Sequence, residues 1–294
     1  MNIAFCINNV ALAGLGVTVS SLLQNCSNTQ ALKLWFFCAG LSEQEKNKIK
    51  NLLTVESFYG EFSLIDFDPK AQFGTFTPLH GDWTAYGRLL IGDFIHAEKV
   101  LYLDADLVVE LDVLQIDDFN FDGYVLAAVS GGGFKYALGN KFYINKIGIP
   151  PDLDYFNSGV LLLNLPLWQS KKVKEKCLEI AKKYHTQLPS HDQSLLNIYC
   201  AGNFGRLPPS FNCIWLPIKP KPKISNKMIL HFIGSPKPWA PFGFLLHNGY
   251  KTWKEYSKPE WSMINSTFTL SHLKRTWNIR RSYFRLIINR IKAL

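Results

Sequence analysis

At 294 residues and 47% hydrophobic content, the chain can bury a large core, and it shows neither internal repeats nor low-complexity segments. Its net charge is +9, but seven lysines and arginines and no acid follow Glu260, so the excess sits mainly in a tail and argues against a nucleic-acid-binding body. No CxxC pair or zinc-like spacing occurs among its six cysteines, which points to a reducing compartment, and no run reaches the ~18 to 20 apolar residues of a membrane span.

Asn2 to Ile7 is an apolar run closed by Asn8-Asn9 and followed by Val17 to Leu23, which reads as strand, turn and helix. Although apolar, this opening has no Lys or Arg before Lys33 and is broken by Gly14 and Gly16, so it is not read as a signal peptide. Lys33 to Ala39 is strand-like. Ser42 to Leu53 is helical, with Ser42 as N-cap and Glu45 three residues on, and Phe62 to Phe67 is again strand-like. Such alternation predicts an α/β fold with a mostly parallel sheet and helices on both faces.

An aromatic, Gly- and Pro-rich loop (Pro69 to Trp83) leads to a helix over Thr84 to Ile95 and an apolar strand ending in Asp104-Ala105-Asp106. A strand over Tyr124 to Val129, a glycine loop at 131–133, the run Tyr155 to Asn164 and a basic helix over Lys171 to Tyr184 follow. From Leu207 to Pro241 the chain loses periodicity, and its His231, Gly234 and Lys237 mark it as a loop-built part of a site. In the tail, Phe284, Ile287, Ile288, Ile291 and Leu294 share one helical face and Arg281, Arg285 and Lys292 another, the profile of an interfacial helix.

Ligands gather at the carboxyl ends of strands in open α/β sheets, so the Asp104 and Asp106 carboxylates are well placed to clasp a hard divalent cation. The same pair could also be a solvated strand end, or an aspartyl nucleophile were it not followed by Leu107-Val108-Val109. His231, closing a short apolar strand, is the best third ligand among seven histidines, with a packed core histidine as the bland alternative. Lys237 could reach a phosphate, and Arg88 a phosphate or a carboxylate. Ser190 reads as the N-cap of a helix carrying Asp192 and Gln193 in its first turn, and Asn157 as a turn amide.

Taken in order, these motifs resemble glycosyltransferase family 8, in particular its bacterial lipooligosaccharide and lipopolysaccharide galactosyl- and glucosyltransferases. The resemblance runs from Met1 to about Trp239 and rests on Thr84-Ala-Tyr-Gly-Arg88-Leu, Val100-Leu-Tyr-Leu-Asp104-Ala105-Asp106, Tyr155-Phe-Asn157-Ser-Gly-Val-Leu-Leu-Leu-Asn164, His191-Asp192-Gln193 and His231-Phe-Ile-Gly234-Ser-Pro-Lys237-Pro-Trp. It implies a GT-A nucleotide-diphospho-sugar transferase fold over residues 1–260, and the basic amphipathic pattern beyond it reads as a membrane-association segment over 261–294. Asp104, Asp106 and His231 would bind Mn2+ or Mg2+, with Ala105 between the two acids. Gly234 and Lys237 would contact the donor diphosphate. Ile7 and Asn8 would hold uridine, and Arg88, Asn157, Asp192 and Gln193 would surround the hexose of UDP-galactose or UDP-glucose.

By this resemblance the reaction retains anomeric configuration. Gln193 is an amide and a poor nucleophile, so the expected route is same-face attack by the acceptor hydroxyl, with Asp192 gripping sugar hydroxyls. Two departures stand out: Asn8 occupies a position where many relatives have Asp, and Ser130 to Gly133 replaces a stretch in which several carry an acceptor-facing Asp. His80, Trp83 and Phe211 are candidates for stacking on the acceptor. The rival readings are a non-catalytic nucleotide-sugar or saccharide binder and a nucleic-acid binder. Location is expected to be cytoplasmic, peripheral on the inner face of the cell membrane.

Overall fold

The computed structural model describes residues 1–79, 81–258, 277 and 280–291. Its strands are β1 (Asn2–Ile7), β2 (Lys33–Ala39), β3 (Glu61–Phe67), β4 (Lys99–Leu103), β5 (Leu107–Val109), β6 (Leu126–Gly133), β7 (Asp154–Asn164), β8 (Gly205–Arg206), β9 (Cys213–Ile214) and β10 (Ile229–His231). Its helices are α1 (Leu12–Asn25), α2 (Glu43–Val55), α3 (Pro69–Phe73), α4 (Ile91–Phe94), α5 (Leu165–Ser170), α6 (Val173–Tyr184), α7 (His191–Cys200), α8 (Gly243–Leu246), α9 (Tyr250–Glu255) and α10 (Arg280–Ile291).

Seven strands form one sheet in the order β3-β2-β1-β4-β7-β6-β8. β1 pairs in parallel with β2 and β4, whereas β7 runs antiparallel to both β4 and β6. The sheet is therefore mixed rather than simply parallel. Side-chain alternation splits each central strand between two cores: Ile3, Phe5, Leu101 and Leu103 pack with α1 and α2, while Ala4, Cys6, Val100 and Tyr102 pack with α6 and α7. Each fully buried Leu or Phe there contributes roughly 1.5–3 kcal/mol.

The predicted capping box of α2 is present: Ser42 Oγ accepts from the Glu45 amide at 3.3 Å, and Glu45 returns a carboxylate to the Ser42 amide at 2.8 Å. Other local predictions need correction. Thr84–Leu90 winds as a 3-10 helix before α4, with Gly87 wedged against Phe67 and the Cys6 sulfur. The glycines at 131–133 belong to β6, where two register shifts against β7 bulge the strand instead of ending it. Ser190 makes no side-chain cap to α7; its amide instead donates to Ser194 Oγ at 2.8 Å. All six cysteines are free.

A second sheet, β5-β10-β9, decides where chemistry can occur. β5 resumes directly after Asp106, and its antiparallel pairing with β10 sets His231 opposite Leu107. Thr18 Oγ1 and Ser21 Oγ on α1 accept the Leu107 and Val109 amides at 3.0 and 2.9 Å, satisfying the other edge of β5. Two residues some 125 positions apart are thereby brought together by strand register alone.

At the C-terminus, α10 buries Tyr283 and Leu286, and Tyr283 Oη donates to the Pro241 carbonyl at 2.9 Å. Phe284, Ile287 and Ile288 are exposed, as are Arg281 and Arg285. The expected apolar face is thus distinct from the face that packs on the body. Lys274, Arg275, Lys292, Leu294 and the remainder of 259–276 lie outside the described residues, as does His80. No helix among the described residues is long and apolar enough to cross a membrane.

Candidate active site

Asp104 leaves the carboxyl end of β4, and its amide donates to the Gly159 carbonyl of β7 at 2.8 Å. Asp104 Oδ1 accepts from Tyr102 Oη at 2.6 Å and from Arg88 Nη2 at 3.1 Å. Its second oxygen lies 3.8 Å from His231 Nε2. Asp106 mirrors this arrangement: Oδ2 accepts from Lys237 Nζ at 2.6 Å, and Oδ1 lies 3.2 Å from His231 Nε2 while accepting no hydrogen bond. One ligand atom each from Asp104, Asp106 and His231 falls within 4.8 Å of the others.

This cluster fits a hard divalent cation. His231 Nδ1 sits 2.9 Å from Asn212 Oδ1, an acceptor, so the proton belongs on Nδ1 and Nε2 presents a lone pair toward two carboxylates. Three converging lone pairs repel unless a cation lies among them. Gly159 leaves the room: a Cβ there would stand 2.2 Å from His231 Cε1 and 2.9 Å from Asp104 Oδ2. Although burial alone would raise it, the Lys237 ammonium 2.6 Å away holds the Asp106 carboxyl well below the usual carboxylate range.

Beside the cluster, the buried Arg88 guanidinium reaches Asp104, the Ser158 carbonyl at 2.6 Å and, at 3.1 Å, Asp192 Oδ2. Burial works against its charge, but the Asp192 and Asp104 carboxylates keep it protonated. The Tyr102 phenol is pushed up chiefly by burial, and so remains a donor to Asp104. Asn197 docks α7 on β7, its side chain accepting the Phe156 amide at 3.0 Å and donating to the Phe156 carbonyl at 2.9 Å. That clamp brings Asp192 and Gln193 to the site.

Burial, with the Asp104 charge adding to it and Arg88 opposing, raises the Asp192 carboxyl to about 6. Because folding strengthens its hold on the proton, its stabilising contribution is complete below about pH 4 and is lost as pH rises through 6. Asp192→Asn is therefore expected to gain stability relative to the parent between pH 4 and 7, by up to about 3 kcal/mol, in denaturant melts of the two proteins. A difference that does not vary with pH would show that Asp192 titrates as an ordinary carboxylate.

Arg88, Asp104, Asp106, Asn157, Asp192, Gln193, His231 and Lys237 converge here. Ile7 is fully buried, leaving only its backbone for a ligand. Phe211 is 1% exposed and packs in the core, so it cannot stack on an acceptor. The Ala105 carbonyl is packed against Gly14, where a Cβ would come within 2.1 Å of it. Asn8 donates to Thr84 Oγ1 at 3.4 Å and to Asp82, whose carboxylate thus stands next to the amide. Trp83 is partly buried, its Nε1 donating to the Phe76 carbonyl at 2.7 Å. Gly234 turns with a φ of 78° just before Lys237.

Sequence reasoning did not single out Tyr102, Gly159 or Asn212. Tyr102 could have been found, since residues i and i+2 of a strand share a face with Asp104. For Asn212, in an aperiodic stretch, no local signal existed.

Residues 2–242 match the family described as glycosyl transferase family 8. Lipopolysaccharide 1,3-galactosyltransferase of Salmonella typhimurium is 27% identical over 82% of this chain and 74% of its own length. The probable glycosyl transferase Gly of Streptococcus gordonii is 28% identical over 62% of the chain. The chain spans only 25% of that protein, and 46% of glycosyltransferase GlyE of Streptococcus pneumoniae. Among solved structures, galactosyltransferase LgtC in complex with donor and acceptor sugar analogs superposes with a TM-score of 0.75 at 25% identity, covering 90% of this chain and all of that one. The architecture is the GT-A fold that the sequence predicted.

Proposed function

The chain belongs to glycosyl transferase family 8, and we propose that it is a retaining, cation-dependent hexosyltransferase, moving galactose or glucose from a UDP-sugar to a lipooligosaccharide or lipopolysaccharide saccharide. The carrying observation is the convergence of Asp104, Asp106 and His231 on one point with Lys237 beside it. Asp104, Asp106 and His231 would hold Mn2+ or Mg2+, which when bound supplies positive charge to a diphosphate leaving group.

Lys237, now on Asp106, is within reach to exchange that carboxylate for a phosphate oxygen as UDP departs. Asp192, buried and ion-paired through Oδ2 with Arg88 at 3.1 Å, is the carboxylate that would grip a sugar hydroxyl. Gln193 Oε1 accepts from Asn157 Nδ2 at 3.1 Å and the Ser158 amide at 3.0 Å, so both lone pairs are committed and it is no nucleophile. These facts favour same-face displacement. The anomeric carbon loses its bond to the β-phosphate oxygen and gains one to the acceptor oxygen, whose proton passes to the departing phosphate. A trapped glycosyl adduct on Asp192 would overturn this route.

The test is metal-dependent UDP release by the full chain from UDP-galactose, UDP-glucose and UDP-N-acetylglucosamine. Release from one of the first two, abolished by a chelator, is expected; no release from any would favour a saccharide-binding protein instead.

For location, the reading is a cytoplasmic enzyme held on the inner face of the membrane by the segment 261–294. The exposed Phe284, Ile287 and Ile288, close to Arg281 and Arg285, support it. Binding to phosphatidylglycerol vesicles is expected to weaken as salt rises, and to weaken further in an Arg281→Glu/Arg285→Glu variant, by about 1 kcal/mol per charge. Equal sedimentation with neutral and anionic vesicles would count against it.

A further inference from the structure

A continuous row of side-chain amides runs behind the cation cluster from His231 to Tyr155. Asn212 Oδ1 faces His231 Nδ1 at 2.9 Å, and Asn212 Nδ2 donates to Asn157 Oδ1 at 3.0 Å. Asn157 Nδ2 in turn donates to Gln193 Oε1 at 3.1 Å, and Gln193 Nε2 donates to Tyr155 Oη at 2.7 Å. An amide can be turned end for end, so such a row has two possible polarities.

Two backbone groups remove that freedom. The Gly159 amide donates to Asn157 Oδ1 at 3.0 Å, and the Ser158 amide donates to Gln193 Oε1 at 3.0 Å. A backbone N–H can only donate, so Asn157 and Gln193 must each turn their carbonyl toward β7. Asn212 must then offer its NH2 to Asn157 and its carbonyl to His231. With an acceptor fixed opposite Nδ1, the His231 proton is held there and Nε2 is left bare on the side of Asp104 and Asp106.

We propose that Asn212 is a positioning residue that joins the cation ligand His231 to Gln193 through this directed row, so that the backbone of β7 dictates the tautomer of His231. The proposal rests on the reading of Asp104, Asp106 and His231 as cation ligands. It makes the ligand geometry and the amide at the donor sugar parts of one hydrogen-bonded unit, such that a break at Asn212 is felt at both ends.

The test uses the full chain, with bound Mn2+ measured directly from the electron paramagnetic resonance of free Mn2+ in the presence of UDP, alongside steady-state kcat. Asn212→Ala removes its hydrogen bonds to His231 and Asn157 and is expected to weaken Mn2+ binding about 10- to 100-fold and to lower kcat. Asn212→Asp keeps the shape and an acceptor opposite His231, but it sets an acceptor against Asn157 Oδ1. Its Mn2+ affinity is expected to stay close to the parent's while kcat falls, a split that loss of packing would not produce. Combined with Gln193→Ala, the kcat losses are expected to be less than multiplicative.

Unchanged Mn2+ affinity in Asn212→Ala, equal loss of affinity in both Asn212 variants, or fully multiplicative losses with Gln193→Ala would each overturn the proposal. Should Asn212→Ala not fold, the near-isosteric Asn212→Asp carries the test through its split between affinity and kcat. A parent that binds no Mn2+ with UDP present would bring down the cation site and this proposal together, whereas a parent that binds and an Asn212→Ala variant that matches it would bring down the relay alone.

Discussion

Asp106→Asn is expected to lower kcat for sugar transfer by about three orders of magnitude while leaving the fold intact. The substitution keeps the side-chain shape but removes a charge that two partners depend on. Oδ2 holds Lys237 at 2.6 Å, and Oδ1 is one of three atoms converging on the proposed cation position. Lys237 keeps this carboxyl ionised, so at any ordinary working pH it contributes a full negative charge. An amide would instead turn an NH2 toward the ammonium of Lys237 or the ring of His231. Since Lys237 also donates to the Phe232 carbonyl, it would keep a partner and the fold should survive. The measurement is kcat at saturating Mn2+ with UDP-galactose and UDP-glucose, beside a melting curve. Parental turnover in a folded variant would remove Asp106 from the cation site.

Gly159→Ala should be nearly as damaging, by steric means. Gly159 has no left-handed backbone, so what it supplies is space: an added methyl would lie 2.2 Å from His231 Cε1, 2.8 Å from Nδ1 and 2.9 Å from Asp104 Oδ2. Neither neighbour can yield cheaply, because His231 is 3% exposed and bonded to Asn212, while Asp104 is held by Arg88 and Tyr102. Overpacking of this kind costs about 1–3 kcal/mol of stability. Displacing two ligands together should weaken Mn2+ binding by about 100-fold or more, judged from what loss of ligand orientation costs in metal sites. Calorimetric melts and direct Mn2+ titration read the two effects separately. Intact Mn2+ affinity in this variant would show that the cluster can open, and that its close packing is incidental.

The acidic pair and His231 were identifiable as residues because each terminates a short apolar run, a pattern that marks strand ends in an open sheet. Arg88, Asp192 and Gln193 emerged from motif order. The partners that orient them did not, because Asn212 and Gly159 act through contacts with residues distant in sequence and leave no local pattern. Ser190 shows the opposite failure: a good capping residue at the right place makes no cap, since its amide bonds to Ser194 and the chain enters α7 through His191 with a φ of 49°. Likewise, the glycines at 131–133 read as a loop, but they continue β6 because a bulged strand tolerates what a regular one does not.

What the sequence determined alone was the set of local patterns: the apolar runs of β1 and β4, the Ser42 and Glu45 capping box, and acids at the end of an apolar strand. These depend on neighbours within a turn or two of chain, and a single sequence records them directly. Tertiary structure decided the rest. The pairing of β10 with β5 set His231 opposite Leu107, the clamp of Asn197 on Phe156 brought α7 to β7, and the β7 backbone fixed the polarity of the amides behind the cluster. Register and hydrogen-bond direction are properties of pairs of segments, and no window of one chain segment contains them.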